Sequence, residues 1–215
     1  MNPFDAYSDT FNDLKSIIER NSLSDGSFRI SAFVDEFCSV ATEAGDTPDM
    51  DPVEILQEGN TGYQVNAYSL EVDTGELTLA VSDTEFGTEL RTFERSYANK
   101  YINRAVRFYE KCGKTKFIDE LEESSDAHEL GSLIHAKYEF IKRLRVIFFS
   151  SGVSTIQKAL AFENIDGVDF SRNVFDIQRY HNILKNQNLT EDYEIEFSEF
   201  DIDGIPLLQA SKEEG

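Results

Sequence analysis

The spacing of apolar side chains predicts two helices at the start of the chain. In the first segment apolar residues recur at steps of three and four positions, and they are Phe4, Tyr7, Phe11, Leu14 and Ile18. This spacing is typical of one face of an amphipathic helix. Residues 21–26 are rich in turn-forming side chains and predict a loop, after which the helical period returns and continues to Gly45. We therefore expect a helical pair over residues 1–45.

The helical period stops at residue 46. The segment that follows contains Pro48 and Pro52 among several acidic side chains. Proline fixes the backbone and cannot donate a hydrogen bond, so it disfavours a helix interior or a central strand. We expect residues 46–61 to form a linker loop.

A β-hairpin is predicted next. Residues 62–72 are rich in β-prone side chains, and Asp73, Thr74 and Gly75 supply a turn. Beyond the turn, Leu77, Leu79 and Val81 alternate with small side chains, which is the period of a strand. The two strands should therefore pair directly.

The rest of the pattern predicts helices around a central strand. An amphipathic helix ends near Gly113, and the apolar run over residues 144–149 predicts a strand that is covered on both faces. Further elements are expected as a helix over 126–140, a strand over 167–175, a helix over 176–186 and an edge strand over 193–197. This order predicts an α/β fold with a mixed sheet flanked by helices.

Composition restricts the location of the protein. The first residues lack the basic patch and apolar core of a secretory signal, and no apolar run approaches the ~18 residues that a membrane span requires. The two cysteines, Cys38 and Cys112, are far apart and fall in helical patterns, so we expect buried thiols and no disulfide framework. We expect a cytoplasmic protein without membrane partners.

Charge is the strongest constraint on partners. The chain carries 41 acidic and 20 basic residues, for a net charge of −21. Such a field repels phosphate backbones and disfavours nucleic acid as a partner. One local exception is a set of basic residues on one side of the long helix, namely Lys100, Arg104, Arg107 and Lys111. They are interpreted as a solvated helix face, with a nucleic-acid patch as the alternative.

Motifs for common catalytic chemistry are absent. The sequence has no glycine-rich phosphate loop, no GxSxG elbow and no HExxH, and we expect no bound cofactor. Metal-dependent nucleases place an acid on one strand, and on the next an acid or amide and a lysine two residues apart, because alternate side chains share a face. Here Val81 and Asp83 occupy the second pair of positions. Neither residue has the required chemistry.

The first strand of the hairpin offers little compensation. Asn66 is a neutral ligand, and Glu71 lies close to the turn. We therefore treat Asn66, Glu71 and Asp83 as the remnant positions of a nuclease-like site. We assign none of them as a metal ligand. Mg²⁺ would be a cofactor only if nuclease activity were retained.

Several segments of the chain resemble the amino-terminal domain of the abortive-infection phage-resistance (AIPR) protein family. The resemblance extends from Tyr63 to Ser211, and it rests on residues 63–70, 74–83, 104–110, 121–125, 146–151, 174–179 and 204–208. It implies a restriction-endonuclease-like core over residues 62–208, followed by a tail over 209–215. Relatives continue into a longer carboxyl-terminal region, so we expect this sequence to be a fragment that has the missing region as a partner.

The resemblance also implies a role in bacterial defence against phage. Some relatives keep a Gly-Tyr/Ile-Asp element on the first strand and Gln-Ser-Lys on the second, and this chain departs from both. The main hypothesis is a non-catalytic module that acts as scaffold, sensor or oligomerisation domain. One alternative is a metal-dependent nuclease with a migrated site that uses Glu71, Asp73, Asp83 or Glu85. A second alternative is an acidic DNA mimic or protein-interaction domain.

Overall fold

In the computed structural model, residues 6–25, 29–83, 89–156, 163–165 and 167–188 are described. The helices are α1 (Ser8–Asp25), α2 (Arg29–Glu43), α3 (Arg95–Cys112), α4 (Thr115–Asp119), α5 (Asp126–Lys137) and α6 (Ile177–Asn188). The strands are β1 (Asp51–Gln57), β2 (Tyr63–Glu71), β3 (Glu76–Ser82), β4 (Thr92–Phe93), β5 (Arg143–Ser150), β6 (Val153–Ser154), β7 (Glu163–Ile165) and β8 (Val168–Asp176). A 3₁₀ turn, Tyr138–Phe140, extends α5.

The helical pair is confirmed, but its loop is shorter than expected. The helix α1 continues to Asp25, so residues 21–25 of the expected loop are helical. Tyr7 and Phe11 of its aromatic face turn inward: Tyr7 contacts the His181 ring of α6, and Phe11 is buried. Within residues 6–25, this face therefore packs on its own domain.

The predicted linker contains a strand. Residues 51–57 form β1 at the edge of the main sheet, antiparallel to β2, with a register shift between Pro52 and Ile55. Pro52 is tolerated because an edge strand has one side that donates to no neighbour. Ile55 is its one fully buried side chain, which explains why no alternating pattern marks this strand.

The described strands form a six-stranded sheet in the order β1-β2-β3-β5-β8-β7. The hairpin of β2 and β3 is confirmed, and Gly75 supplies its turn with a φ of +69°. Within this sheet, pairing of β3 with β5 and of β5 with β8 is parallel, whereas the other pairs are antiparallel. Two residues each from β4 and β6 form a separate small sheet.

Helices cover both faces of the main sheet. On one face Leu144, Val146 and Phe148 of β5 pack in a core with α3 and α5. On the other face Ile147 and Phe149 pack in a core with α1, α2 and α6. The expected central strand and the mixed sheet flanked by helices are confirmed. The order of helix, three-strand meander, helix and parallel strand agrees with a restriction-endonuclease-like core.

None of the helices in the described part of the chain is both long and apolar enough to cross a bilayer. The predicted helix after the last long strand is confirmed as α6. The expected edge strand at 193–197 and the tail at 209–215 lie outside the described residues.

Candidate functional site

Buried polar side chains collect at the carboxyl ends of the three parallel strands. Asp83 follows β3, Ser150 ends β5 and Asp176 ends β8, and all three are buried. In α/β sheets this edge is the usual place for a ligand site. The candidate site is therefore defined by what these side chains contact.

Asp83 is held by groups from two other segments. Its side chain is 1% exposed, and its Oδ2 accepts hydrogen bonds from Arg91 Nη2 at 3.0 Å and from Ser150 Oγ at 2.7 Å. The backbone amide of Asp83 donates to the carbonyl of Phe149, which continues the pairing of β3 with β5. The carboxylate charge is thus balanced inside the protein.

Arg91 is held in place by two further contacts. Its Nη2 also donates to the Tyr97 hydroxyl at 2.6 Å, and its carbonyl accepts from the amide of Val153 at 2.8 Å in the small sheet. Burial raises the pKa of Tyr97, and the hydroxyl of Tyr101 and the charge of Asp83 raise it further. Tyr97 is therefore a neutral partner.

Asn66 joins β2 to the end of β3. Its Oδ1 accepts from Gln64 Nε2 at 3.0 Å, from the Ser82 amide at 2.9 Å and from Ser82 Oγ at 3.2 Å. Pairing of the two strands ends with Ala67 opposite Ala80. The Asn66 side chain thus takes the place of a strand carbonyl, and its oxygen is fully engaged.

Gln64 connects this position to α3. It is 1% exposed, its Nε2 donates to the Ser82 carbonyl at 2.8 Å, and its Oε1 accepts from Arg104 Nη1 at 3.1 Å. Sequence patterns alone do not single out Gln64, Arg91 or Ser150. The one available signal was that Gln64 and Asn66 are two residues apart on a strand, which gives both side chains the same side.

The structure places Asn66 and Asp83 next to the same residue, because Asn66 accepts hydrogen bonds from Ser82 and Asp83 directly follows it. Glu71 is not part of this cluster. Glu71 is exposed and lies opposite Glu76 at the hairpin turn, five residues along β2 from Asn66. At about 3.3 Å per residue the two positions are about 16 Å apart. Asp73 is exposed at the same far end, and Glu85 lies outside the described residues.

Oxygens of the remnant positions are already engaged by protein groups. Mg²⁺ prefers carboxylates with free oxygens, whereas the Asn66 Oδ1 already accepts three hydrogen bonds and the Oδ2 of Asp83 is paired with Arg91. Across the described ranges, no group of three His, Cys, Asp or Glu side chains is placed to hold a metal ion.

Asp176 has a structural task. Its carboxylate accepts from the amides of Ser154 at 2.7 Å and Arg179 at 3.0 Å, which caps the start of α6. Burial raises the pKa of Asp176, and these amides oppose that effect. Asp176 thus joins the small sheet to the helix.

An open groove of about 560 Å³ lies beside the site, between α2 and strands β1 and β2. Gln64 and Asn66 line it together with Asp35, Glu54 and Asp126. Ser31 Oγ donates to Glu54 Oε1 at 2.7 Å, and the Glu54 amide donates to Asp126 Oδ2 at 2.6 Å. Its acidic rim is suited to neither phosphate nor other anions.

The four basic residues expected on one side of the long helix lie on α3. Lys100 is exposed, and Arg104, Arg107 and Lys111 are half-buried. Arg104 contacts the candidate site through Gln64. The helix thus connects the basic residues to the carboxyl edge of the sheet.

Comparison with known proteins gives the family. Residues 33–182 match the family described as "Abortive infection phage resistance protein N-terminal domain". No curated protein and no solved structure matches the chain significantly. The matched region begins in α2 and ends in α6, so it contains every strand of the sheet and the candidate site. The chain therefore belongs to the family of abortive infection phage resistance proteins, through its amino-terminal domain.

Proposed function

We propose that this domain is a non-catalytic module of a phage-resistance protein, in which it acts as scaffold, sensor or oligomerisation domain for the rest of the protein. The observation that carries the proposal is the hydrogen-bond network at the carboxyl edge of the sheet. The Oδ2 of Asp83 pairs with Arg91 and accepts from Ser150, and the Oδ1 of Asn66 accepts from Ser82 and Gln64.

The chemistry of phosphodiester cleavage supports this proposal. A metal-dependent nuclease holds Mg²⁺ against the phosphate with carboxylates, and a lysine stabilises the developing charge. Val81 is fully buried in the core beneath α3, and Asp83 is an anion where a cation is needed. Metal binding by the Oδ2 of Asp83 would compete with its ion pair to Arg91, and disrupting a buried ion pair costs several kcal/mol.

Cleavage of plasmid DNA tests the proposal. The purified chain is incubated with supercoiled plasmid and Mg²⁺ or Mn²⁺, beside the variants Asp83→Asn and Glu71→Ala. We expect no nicking above that of a buffer control. Nicking that is lost in Asp83→Asn, while circular dichroism shows a folded variant, would establish a nuclease and overturn the proposal.

Partners follow from the same proposal. We infer that the module works with the carboxyl-terminal region of its protein. An oligomerisation role further requires that the chain alone self-associates, and light scattering after size-exclusion chromatography measures this point. A mass of about 24.5 kDa at all concentrations would match the single chain and contradict self-association.

A further inference from the structure

A continuous row of cations runs along one side of α3. We name it the α3 ridge, and its members are Lys100, Arg104, Arg107 and Lys111. They are separated by four, three and four residues, and at 1.5 Å per residue they span about 16 Å of the helix axis. All four are at least partly exposed.

The two arginines of the ridge are positioned by neutral groups. Arg104 Nη1 donates to Gln64 Oε1 at 3.1 Å, and Arg107 Nε donates to the Gly62 carbonyl at 2.8 Å. The Arg104 guanidinium also lies 5.4 Å from the centre of the Tyr101 ring. Because a guanidinium has five N–H donors, each arginine keeps donors for a further partner.

The two lysines are positioned by aromatic rings. Lys100 Nζ lies 5.2 Å from the Tyr101 ring centre, and Lys111 Nζ lies 5.2 Å from Phe117 and 5.8 Å from Tyr63. A cation over a ring face is attracted by the ring quadrupole and keeps its charge. The lysines are therefore oriented without being neutralised.

No carboxylate among the described residues forms an ion pair with the ridge. Several arginines elsewhere in the described chain do form such pairs: Arg91 pairs with Asp83, Arg172 with Glu163, and Arg179 with Asp46. In the whole chain, acidic residues outnumber basic ones 41 to 20. The ridge is thus a strip of uncompensated positive charge on a strongly negative molecule.

We propose that the α3 ridge binds the phosphate backbone of a nucleic acid, independently of base sequence. A phosphate backbone presents repeated negative charge, which is what a row of oriented cations accepts. Tyr63 and Tyr101 are 7% and 2% exposed, so these rings offer neither a stacking platform for bases nor an apolar surface for a peptide. The ridge therefore favours phosphates over an acidic protein segment.

The net charge sets the strength of this interaction. The net charge of −21 repels a polyanion everywhere except at the ridge, so the ridge is the surface that faces the nucleic acid. For the same reason binding is weak, and its affinity falls steeply with salt. Since Arg104 contacts Gln64, and Gln64 contacts Ser82, the bound backbone approaches the remnant site. The ridge can bind nucleic acid whether or not the remnant site cleaves it. The binding test and the cleavage test can therefore give opposite results.

Fluorescence anisotropy with a labelled DNA duplex tests the proposal. The duplex has about 20 base pairs, and titrations of the full chain run from about 50 to 200 mM NaCl. The test variant is Lys100→Gln with Lys111→Gln, which leaves both arginine contacts intact. The matched control is Lys137→Gln with Lys142→Gln, which makes the same charge change outside the ridge. Thermal unfolding checks that both variants fold.

Binding of the wild type should fall with salt with a log–log slope of up to about −3.6 for four phosphate contacts. The ridge variant should bind several-fold more weakly, with a slope shallower by about 1.8, whereas the control variant and a second duplex sequence should match the wild type. Three results would overturn the proposal. They are absence of binding at low salt, an equal loss in the control variant, or equal affinity for polyglutamate of the same charge, which would indicate an acidic protein ligand.

Discussion

At the scale of single residues, the carboxyl edge of the sheet is held together by one charge pair with unequal burial. Asp83 is 1% exposed, whereas Arg91 is 31% exposed and can reach water. Desolvation is therefore borne mainly by the carboxylate, and the attraction of Arg91 and the Ser150 hydroxyl offsets it. These contacts stabilise the end of β3.

We predict that Asp83→Ala lowers the free energy of unfolding by about 2–4 kcal/mol. This range is slightly below that for a fully buried pair, because Arg91 can be partly solvated. Urea denaturation measures the loss. The control is Glu76→Ala, which removes a carboxylate 3.8 Å from the largely exposed Arg143 and should cost less than about 1 kcal/mol. Equal losses in the two variants would contradict a structural role for the Asp83–Arg91 pair.

At the scale of elements, the small sheet of β4 and β6 holds Arg91 against the main sheet. The Val153 amide donates to the Arg91 carbonyl at 2.8 Å, and the Thr155 amide donates to the Phe93 carbonyl at 3.0 Å. Gly152 lies between these segments, and a Cβ there would be 2.9 Å from the Arg91 carbonyl oxygen and 3.1 Å from a Phe93 ring carbon. The close approach requires glycine.

Gly152→Ala should therefore lower stability by about 1–3 kcal/mol, because a backbone atom has to move. Gly131→Ala is the matched control. Its Cβ would meet the ends of the Ile118 and Leu121 side chains at 3.1 and 3.4 Å, and alanine in a helix gains about 1 kcal/mol over glycine. Thermal unfolding compares the two, and a Gly152→Ala protein as stable as Gly131→Ala would disprove the close-packing argument.

These elements also explain what the sequence could predict. The β2–β3 hairpin and β5 were predictable because alternation, a glycine turn and an apolar run are local signals. The strand β1 was missed because Ile55 is its one fully buried residue, and β4 and β6 have two residues each. Their existence depends on partners far away in the chain.

The candidate site follows the same rule. Asn66 and Asp83 could be placed near each other because the hairpin fixes their register. By contrast, Ser150 lies 67 residues from Asp83, and Arg104 lies 40 residues from Gln64. No spacing in the sequence predicts such contacts, since they depend on how β5 pairs within the sheet and how α3 packs on it. Glu71 was an expected remnant position, yet it lies at the opposite end of β2.

At the scale of the whole molecule, burial of weak acids sets a limit on stability at high pH. Burial raises the pKa of the Cys112 thiol from 9.0 to about 12, and burial together with Asp35 and Asp49 does the same for Cys38. Burial also raises the pKa of Tyr97 and Tyr180. All of these groups ionise more readily in the unfolded chain than in the native protein.

The sign of the pH dependence follows from proton linkage. A group with a raised native pKa contributes stability that is fully present below its unfolded pKa and is lost as the pH rises toward the native value. For Cys112 this window runs from about pH 9 to about pH 12. Within it the unfolded state has released one more proton, so the free energy of unfolding falls by about 1.4 kcal/mol per pH unit from this thiol alone.

We therefore predict that the free energy of unfolding falls as the pH rises above about 9, and that Cys112→Ala makes this pH dependence shallower by about one proton. Urea denaturation at a series of pH values, under reducing conditions, gives the slope separately from any constant loss caused by the smaller side chain. Cys38→Ala should act in the same direction, because burial also raises the pKa of the Cys38 thiol. A slope unchanged in both variants would assign the alkaline loss of stability to the tyrosines, and a stability that is flat up to pH 12 would contradict the raised pKa of both thiols.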